Sequence, residues 1–495
     1  RARTSSPAPA SSASAAPVPA CAARTCAEAH PGQAYVCRAS DHACVAVASR
    51  DCKAYYEPRD LLADDTVWLG TMFPMKGPQA GDFGRMNMDG VDLARAEIAQ
   101  ATSALDGANA AADARRIAVV GCDDSEDAMR AARHMVDDVG VPAIVGFRSG
   151  QEVVDVAGGM LIRRGVLTVA SLTPSPLVTR LPQPPDQPRL VWRTTYGFDA
   201  VAEATAHLVH DAIEPMAPKG RTVRVALVKG SASSGVTFAD TLYRHLVFNA
   251  KSALDNGRDY LELTTDADSP AEIASTVDKL AAFQPSLVIS LPNPGTELAL
   301  VSAIEARSPA KSKPVYVLAN DETDVLAPFV GTDVDRRRRV FSITSRANSS
   351  ANARFVIRYN QSKRGEVTRT INPGTSYDAF YALAYATFAL APGEAATGAA
   401  LARGFSRLVG PGKAIEVGPT GIFEALGALS SGGRVDLEGT QTLLDFDLST
   451  GEAPWDFVLL CSNVDARGRA TGEDVESGVA YDARDRRVVG ALHCP

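Results

Sequence analysis

From Thr66 onward the chain alternates short β-prone runs with amphipathic helical stretches, and this alternation restricts the fold more than any other feature. Residues 66–73, 116–120, 142–145 and 166–170 read as strands, and 85–104, 126–139 and 151–163 read as the helices between them. Short apolar runs separated by helices predict a parallel sheet covered on both faces. A Pro-rich break spans 182–188, and 190–192 reads as one more strand. The pattern then restarts, with strands at 223–228, 261–263, 287–290 and 315–318 and helices at 235–250, 270–283 and 295–306. Two consecutive α/β units of similar size predict two lobes of one architecture. Later helices are expected at 376–391 and 398–408, and the tail from Gln441 is richer in β and turn signals.

A chain of 495 residues is too long for one ordinary domain, and at about 150 residues per domain the expectation is about three. Apolar residues at 45% and charged residues at 22% are ordinary for a globular protein. The net charge of −8 argues against a general nucleic-acid binder, which needs a basic face. No apolar run approaches the ~18 residues of a membrane-spanning helix.

The first twenty residues are almost entirely Arg, Thr, Ser, Pro and Ala, which reads as a flexible, partly extended linker. The chain starts at Arg1 without Met, so an upstream segment is expected to have been removed, and a linker of this kind commonly follows a signal peptide or a lipid-anchored Cys. Five of the eight cysteines follow, at 21, 26, 37, 44 and 52. A segment this short cannot hold a core by itself, so cross-links must substitute for one. A zinc site using four of these cysteines with His30 or His42 is the alternative, but the Cys spacings are looser than paired knuckles. Five cysteines cannot all pair locally. Cys461 and Cys494 each end an apolar run, and two neighbouring strands would join them. Cys122 then takes Cys52, which lies shortly before the first strand of the main body. The remaining four pair as 21–37 with 26–44 or in another of three connectivities.

No enzyme signature survives inspection. Gly410-Pro411-Gly412-Lys413-Ala414 resembles a phosphate loop, but Arg407 replaces its first Gly and Ala414 stands where a Ser or Thr should hold magnesium. Gly146-Phe147-Arg148-Ser149-Gly150 is one residue too long before the Ser for a nucleophile elbow. His207 and His210 lie one turn apart but lack a third ligand at matching spacing, so a surface helix accounts for them.

The order of segments resembles the type I periplasmic solute-binding proteins of the branched-chain amino-acid (Leu/Ile/Val) binding group of ABC transport systems. Residues 69–80 are similar to that family's first strand and Gly-Pro loop, and 90–94 continue into its first helix. Residues 141–179 are similar throughout to its most recognisable segment. Val191-Trp192-Arg193-Thr194 resembles the first crossover between lobes, and Tyr377-Asp378-Ala379 a late helix start. The resemblance covers about residues 66–460. It implies a two-lobed type I periplasmic binding protein fold, with two Rossmann-like parallel sheets and hinge crossovers, to which the small N-terminal disulfide-rich module is added. Lobe 1 is expected over 66–195 with about 346–435, and lobe 2 over 196–345 with about 436–495. The Cys-rich module is expected over 21–56.

Ligands of open α/β sheets bind beyond the carboxyl ends of strands, where helix N-termini present free N–H groups. Ser149 and Gly150 follow one such strand, and Ser171, Leu172 and Thr173 follow another. The resemblance implies that they receive a ligand's anionic group, although Ser and Thr at these places also serve as helix caps. It also implies an aromatic over the ligand at Phe83 and contacts from Tyr196 and Asp199 past the first crossover. Ser233-Ser234-Gly235 departs from the family's Tyr-Gly, and Ser234 is the candidate there. Asn293 and Asp321 follow second-lobe strands, Asp321 where the family often supplies a carboxylate for an amine.

The expected activity is capture of a small polar solute, amino-acid-like or related, for ABC-type uptake or sensing. No catalysis, cofactor or metal is expected. The expected partners are the small-molecule ligand and an ABC permease or envelope receptor. The protein is expected to be a monomer, exported to the periplasm or envelope, with membrane contact only through a lipid anchor. The alternative is an envelope receptor or scaffold lipoprotein that uses the Cys-rich module for partner contact and has no transport role.

Overall fold

The computed structural model describes residues 21–77, 80–105, 115–183, 185, 187–217, 220–265, 269–292, 295–309, 312–319, 324–345, 349–362, 364–369 and 371–495. The proposed linker, Asn293 and Asp321 lie outside these residues.

The Cys-rich segment forms helix Ala23–Ala29 and a hairpin of β1 (Tyr35–Cys37) and β2 (Cys44–Ala46). The sequence shows no helical periodicity there because two turns are too short to display any; the helix is instead fastened through buried Cys26. Next, β3 (Cys52–Tyr55) leaves the module and pairs antiparallel with an edge strand of the main body. The module is therefore built onto the first sheet rather than merely tethered to it. Its seat includes two hydrogen bonds from Arg130 to the Asp51 carboxylate, at 2.6 and 3.0 Å, and His134 Nε2 at 2.9 Å from the Val47 carbonyl.

The first sheet continues with β4 (Val67–Phe73), β5 (Ile117–Asp123), β6 (Ala143–Gly146), β7 (Leu167–Ala170) and β8 (Val191–Arg193), in the order β3-β5-β4-β6-β7-β8. Apart from β3 its pairs are parallel. Every residue of β4 and β5 is buried, which is why these strands appear in the sequence as nearly continuous apolar runs, interrupted only by Thr71 and ended by Asp123.

The second sheet begins with β9 (Val225–Lys229). A hairpin of β10 (Val247–Phe248) and β11 (Lys251–Ser252) follows, then β12 (Tyr260–Thr264), β13 (Leu287–Leu291), β14 (Val315–Leu318) and β15 (Val340–Ser345). After a separate parallel pair, β16 (Lys413–Glu416) and β17 (Val435–Glu438), the chain adds β18 (Phe457–Val464), β19 (Ala470–Asp482) and β20 (Arg487–Gly490). The order is β12-β9-β13-β14-β15-β18-β19-β20, parallel up to β15 and antiparallel beyond it. The helix expected over 235–250 is Ser233–His245. It stops because the chain turns into the β10–β11 hairpin, with Asn249 and Ala250 both at positive φ.

Two main cores follow from the chain path. One joins Leu69, Val119 and Val145 to Tyr377, Tyr381 and Leu401, and the other joins Val225, Ile289 and Val317 to Trp455 and Leu459. The chain thus leaves the first core after β8, returns to it through helix Ser350–Gln361, and leaves again between Ala453 and Trp455.

The disulfides are Cys21–Cys37, Cys26–Cys44, Cys52–Cys122 and Cys461–Cys494. The sulfurs of Cys21, Cys26 and Cys44 lie close enough together for a metal, but each is already in a disulfide. Cys461 and Cys494 do not meet across two neighbouring strands as expected, because β19 lies between β18 and β20. The His493 N–H bonds to the Ser477 carbonyl at 2.7 Å, which carries the chain end along β19 and brings Cys494 to Cys461. Cys52–Cys122 closes a separation of 70 residues directly across the β3–β5 pair. Replacing both by Ser is expected to cost about 2–5 kcal/mol in urea denaturation, because the unfolded chain loses a long cross-link.

Candidate functional site

The carboxyl ends of the parallel strands of both sheets carry the candidate residues. In the first sheet, β6 ends at Gly146 (φ 135°) and buried Phe147 (φ 71°). A Cβ on Gly146 would collide with the Met72 carbonyl, so glycine is needed for the turn to leave the sheet. The turn places Ser149 as N-cap of the helix that starts at Gly150, with its Oγ accepting the Glu152 N–H at 3.2 Å. Gly150 packs so closely on Ser175 that a Cβ there would strike its hydroxyl. Thr173 Oγ1 accepts the Ser175 N–H at 3.3 Å. The hydroxyls of Ser149 and Thr173 accept in these bonds, and each retains its own proton to donate.

Ser171 is committed differently. Its hydroxyl lies 2.8 Å from that of Ser376, which in turn donates to Asn87 Oδ1 at 2.8 Å, all three being buried. Asn87 Nδ2 donates to the Phe83 carbonyl at 2.9 Å, which fixes the start of helix Ala80–Leu105. Phe83 itself is 45% exposed and so remains open to a partner. Leu172 is half-buried against the first core.

In the second sheet, the ends of β9, β13, β14 and β15 surround a cavity of about 280 Å³. Tyr196 and Ser234 both line it, together with Phe198, Leu291, Ile343 and Phe457. Tyr196 is held edge-on against Trp455 and Phe457, at ring separations of 5.5 and 5.7 Å. Gly235, beside Ser234, is needed because a Cβ would strike the Gly230 carbonyl where the helix meets β9. Asp199 is exposed in the first turn of helix Phe198–Leu208 and does not line the cavity.

The two halves meet through the loop after Thr173. The Phe198 N–H donates to the Pro174 carbonyl at 3.2 Å, just past the Thr194 N–H that closes the β7–β8 ladder on the Ala170 carbonyl at 3.1 Å. Arg180 Nη2 reaches Thr237 Oγ1, on the second-sheet helix Ser233–His245, at 3.4 Å. Phe198, Ile343 and Phe457 were not candidates from sequence. Of these, Ile343 could have been found as a residue near the end of a crossover strand.

Three buried carboxyls are also close by. Asp124 follows β5, and Glu152 sits in the first turn that Ser149 caps. Burial is the main cause pushing both acids up, Asp124 to about 6 and Glu152 to about 8, and the Asp124 charge raises Glu152 further. Arg148 opposes this, at 3.9 Å from Asp124 and 3.6 Å from Glu152. The third acid, Asp378, belongs to the Tyr377-Asp378-Ala379 motif. It accepts the Thr440 N–H at 2.8 Å and the Gln441 N–H at 3.2 Å, and full burial pushes it up to about 7. The Asp of that motif therefore holds the 440–441 segment against its helix.

No family model matches the sequence, and no curated protein does. Solved structures do match in fold. An ABC transporter substrate-binding protein from Desulfitobacterium hafniense in complex with Leu is 16% identical, covers 83% of this chain and 99% of its own, and has a TM-score of 0.56. The leucine-binding protein LivK of Thermotoga maritima is 14% identical over 83% of this chain and 97% of its own, with a TM-score of 0.53. A solute-binding protein of an ABC transporter from Rhodopseudomonas palustris BisB5, in complex with 3,4-dihydroxy benzoic acid, is 15% identical over 87% of this chain and 99% of its own, with a TM-score of 0.51. The chain has the two-lobed fold of these proteins, and the N-terminal stapled module is joined to it.

Proposed function

We propose that the chain is an exported solute-binding protein that closes two lobes around a small polar solute and delivers it to an ABC permease or a sensor. The observation that carries this reading is the placement of two donor hydroxyls, Ser149 and Thr173, at the carboxyl edge of one sheet, joined by the Pro174–Phe198 contact to an aromatic-lined cavity at the same edge of the other. The hydroxyls and the helix start at Gly150 receive the anionic end of the solute, because helix N-termini offer unpaired N–H groups and a favourable dipole. Tyr196 and Phe457 cover its less polar part. Asn293 and Asp321 remain candidates for an amine or hydroxyl, and Phe83 and Asp199 for contacts made at the lip.

Four disulfides fit an oxidising compartment outside the cytoplasm. No helix among the described residues is long and apolar enough to cross a membrane. In this reading no bond is made or broken, and the lobes close as a hinge.

Thermal unfolding in the presence of leucine or 3,4-dihydroxybenzoate tests the reading. A bound solute at a hundred times its Kd adds about 2.7 kcal/mol of stability and raises Tm. Native mass spectrometry of the purified protein is expected to show a retained small molecule. The reading is lost if neither compound nor a metabolite extract shifts Tm and no retained mass is found.

A further inference from the structure

The side chain of Arg193 has no exposed surface, yet it binds two separate segments around the site, the loop 174–180 and Glu452. Arg193 ends β8, just before the chain crosses to the second core. Its Nε donates to Glu452 Oε2 at 2.7 Å and its Nη2 to Glu452 Oε1 at 2.6 Å, a two-point contact between residues 259 apart in sequence. Nη1 donates to the Ser175 carbonyl at 2.8 Å, and Nη2 also reaches Thr179 Oγ1 at 3.1 Å. The Thr179 hydroxyl donates to the same Glu452 carboxylate. Arg189 reinforces the junction from one side, donating to the carbonyls of Thr179 at 3.3 Å and Ser449 at 3.2 Å.

A guanidinium taken wholly out of water is costly, and a buried ion pair adds little stability over apolar residues of the same shape. What a two-point Arg–carboxylate contact does provide is direction, because the planar fork fixes angles as well as distances. Here it fixes the loop 174–180. One end of that loop adjoins Thr173 and holds the Phe198 N–H, and the other end carries Arg180 to Thr237. Glu452 lies just before the chain returns to the second core between Ala453 and Trp455. The pair therefore joins the first and last crossings between lobes to the loop beside the site.

We propose that Arg193, held by Glu452, is a positioning residue of the solute site. It sets the loop 174–180, and with it Thr173 and the Pro174–Phe198 contact beside the cavity, and it makes two crossings move as one body when the lobes close. This rests on the solute-binding reading above.

The test separates positioning from stability. Arg193→Met combined with Glu452→Leu removes both charges and leaves neither one unpaired, so its Tm is expected to stay near that of the parent protein. In the unliganded double variant the Phe198 N–H is expected to exchange with deuterium about tenfold faster or more, and the Kd for leucine or 3,4-dihydroxybenzoate to rise by about the same factor, because the competent geometry is less populated. Parental exchange and parental Kd in a double variant of undiminished Tm would overturn the proposal. Should that variant not fold, Glu452→Gln keeps the shape, weakens the clamp and is read in the same way. If the parent protein binds neither compound, the solute-binding reading fails separately, and the exchange rate of Phe198 still decides whether Arg193 positions the loop.

Discussion

Replacing Ser149 and Thr173 together by alanine is expected to weaken solute binding by about a hundredfold or more in calorimetric titration, since each hydrogen bond to a charged group contributes roughly 1.5–3 kcal/mol. The two hydroxyls do not have equal structural duties. Ser149 caps the helix beginning at Gly150, so its loss also costs about 1 kcal/mol of stability whether or not solute is present. Thr173 makes a local bond to the Ser175 N–H, and Thr173→Val keeps the branched shape while deleting the donor. Thr173→Val also removes the acceptor of the Ser175 N–H, so a lower affinity is expected together with a loss of about 1 kcal/mol of stability, and affinity is read well below Tm. An unchanged Kd in the double alanine variant would remove these residues from the site.

The second large effect concerns stability as a function of pH. Glu152 is raised from 4.5 to about 8 in the folded chain, and Asp124 from 3.8 to about 6. Between those values the folded protein binds more protons than the unfolded chain. The slope of unfolding free energy with pH is then negative. The contribution of this pair is fully present below pH ~4, declines as pH rises through about 6 and then about 8, and is flat above that. The groups facing the pair are Arg148, which opposes the shift, and Asp123, which adds to it at Asp124. Lys76 reaches Asp123 at 3.5 Å and softens that effect. Glu152→Gln cannot ionise, yet its amide can still donate to Asp124. The variant is expected to be clearly more stable than the parent near pH ~8.5 and close to it near pH ~5, as measured by urea midpoints. A parental pH profile in the variant would show that the decline comes from other groups.

Much of the scaffold was legible because parallel strands buried on both faces leave continuous apolar runs. The strands β4, β6, β7, β9, β13 and β14 all fall on such runs. Helix Ser350–Gln361 was not legible, and neither was the attachment of β3 to β5. The helix carries Arg354 and Arg358 among its apolar residues, and β3 is four residues long and pairs antiparallel with a strand far along the chain. The site shows the same division. Ser149, Gly150 and Thr173 could be placed from the strand that precedes each, and Tyr196 and Ser234 do share one cavity. Asp199 follows the same crossover as Tyr196, but helix Phe198–Leu208 turns it to solvent.

The sequence by itself determined the buried parallel strands, the disulfide chemistry of the eight cysteines and the loops at which donors gather. These depend on local periodicity, on parity and on the residue types that follow a strand. Only the tertiary structure decided which polar groups are already engaged by the protein. It committed Ser171 to Ser376 and Asn87, Asp378 to the 440–441 segment, and Arg193 to Glu452. The physical reason is that a buried polar group must find its partner wherever the fold brings one near, and such partners, here up to 289 residues apart, leave no trace in local sequence.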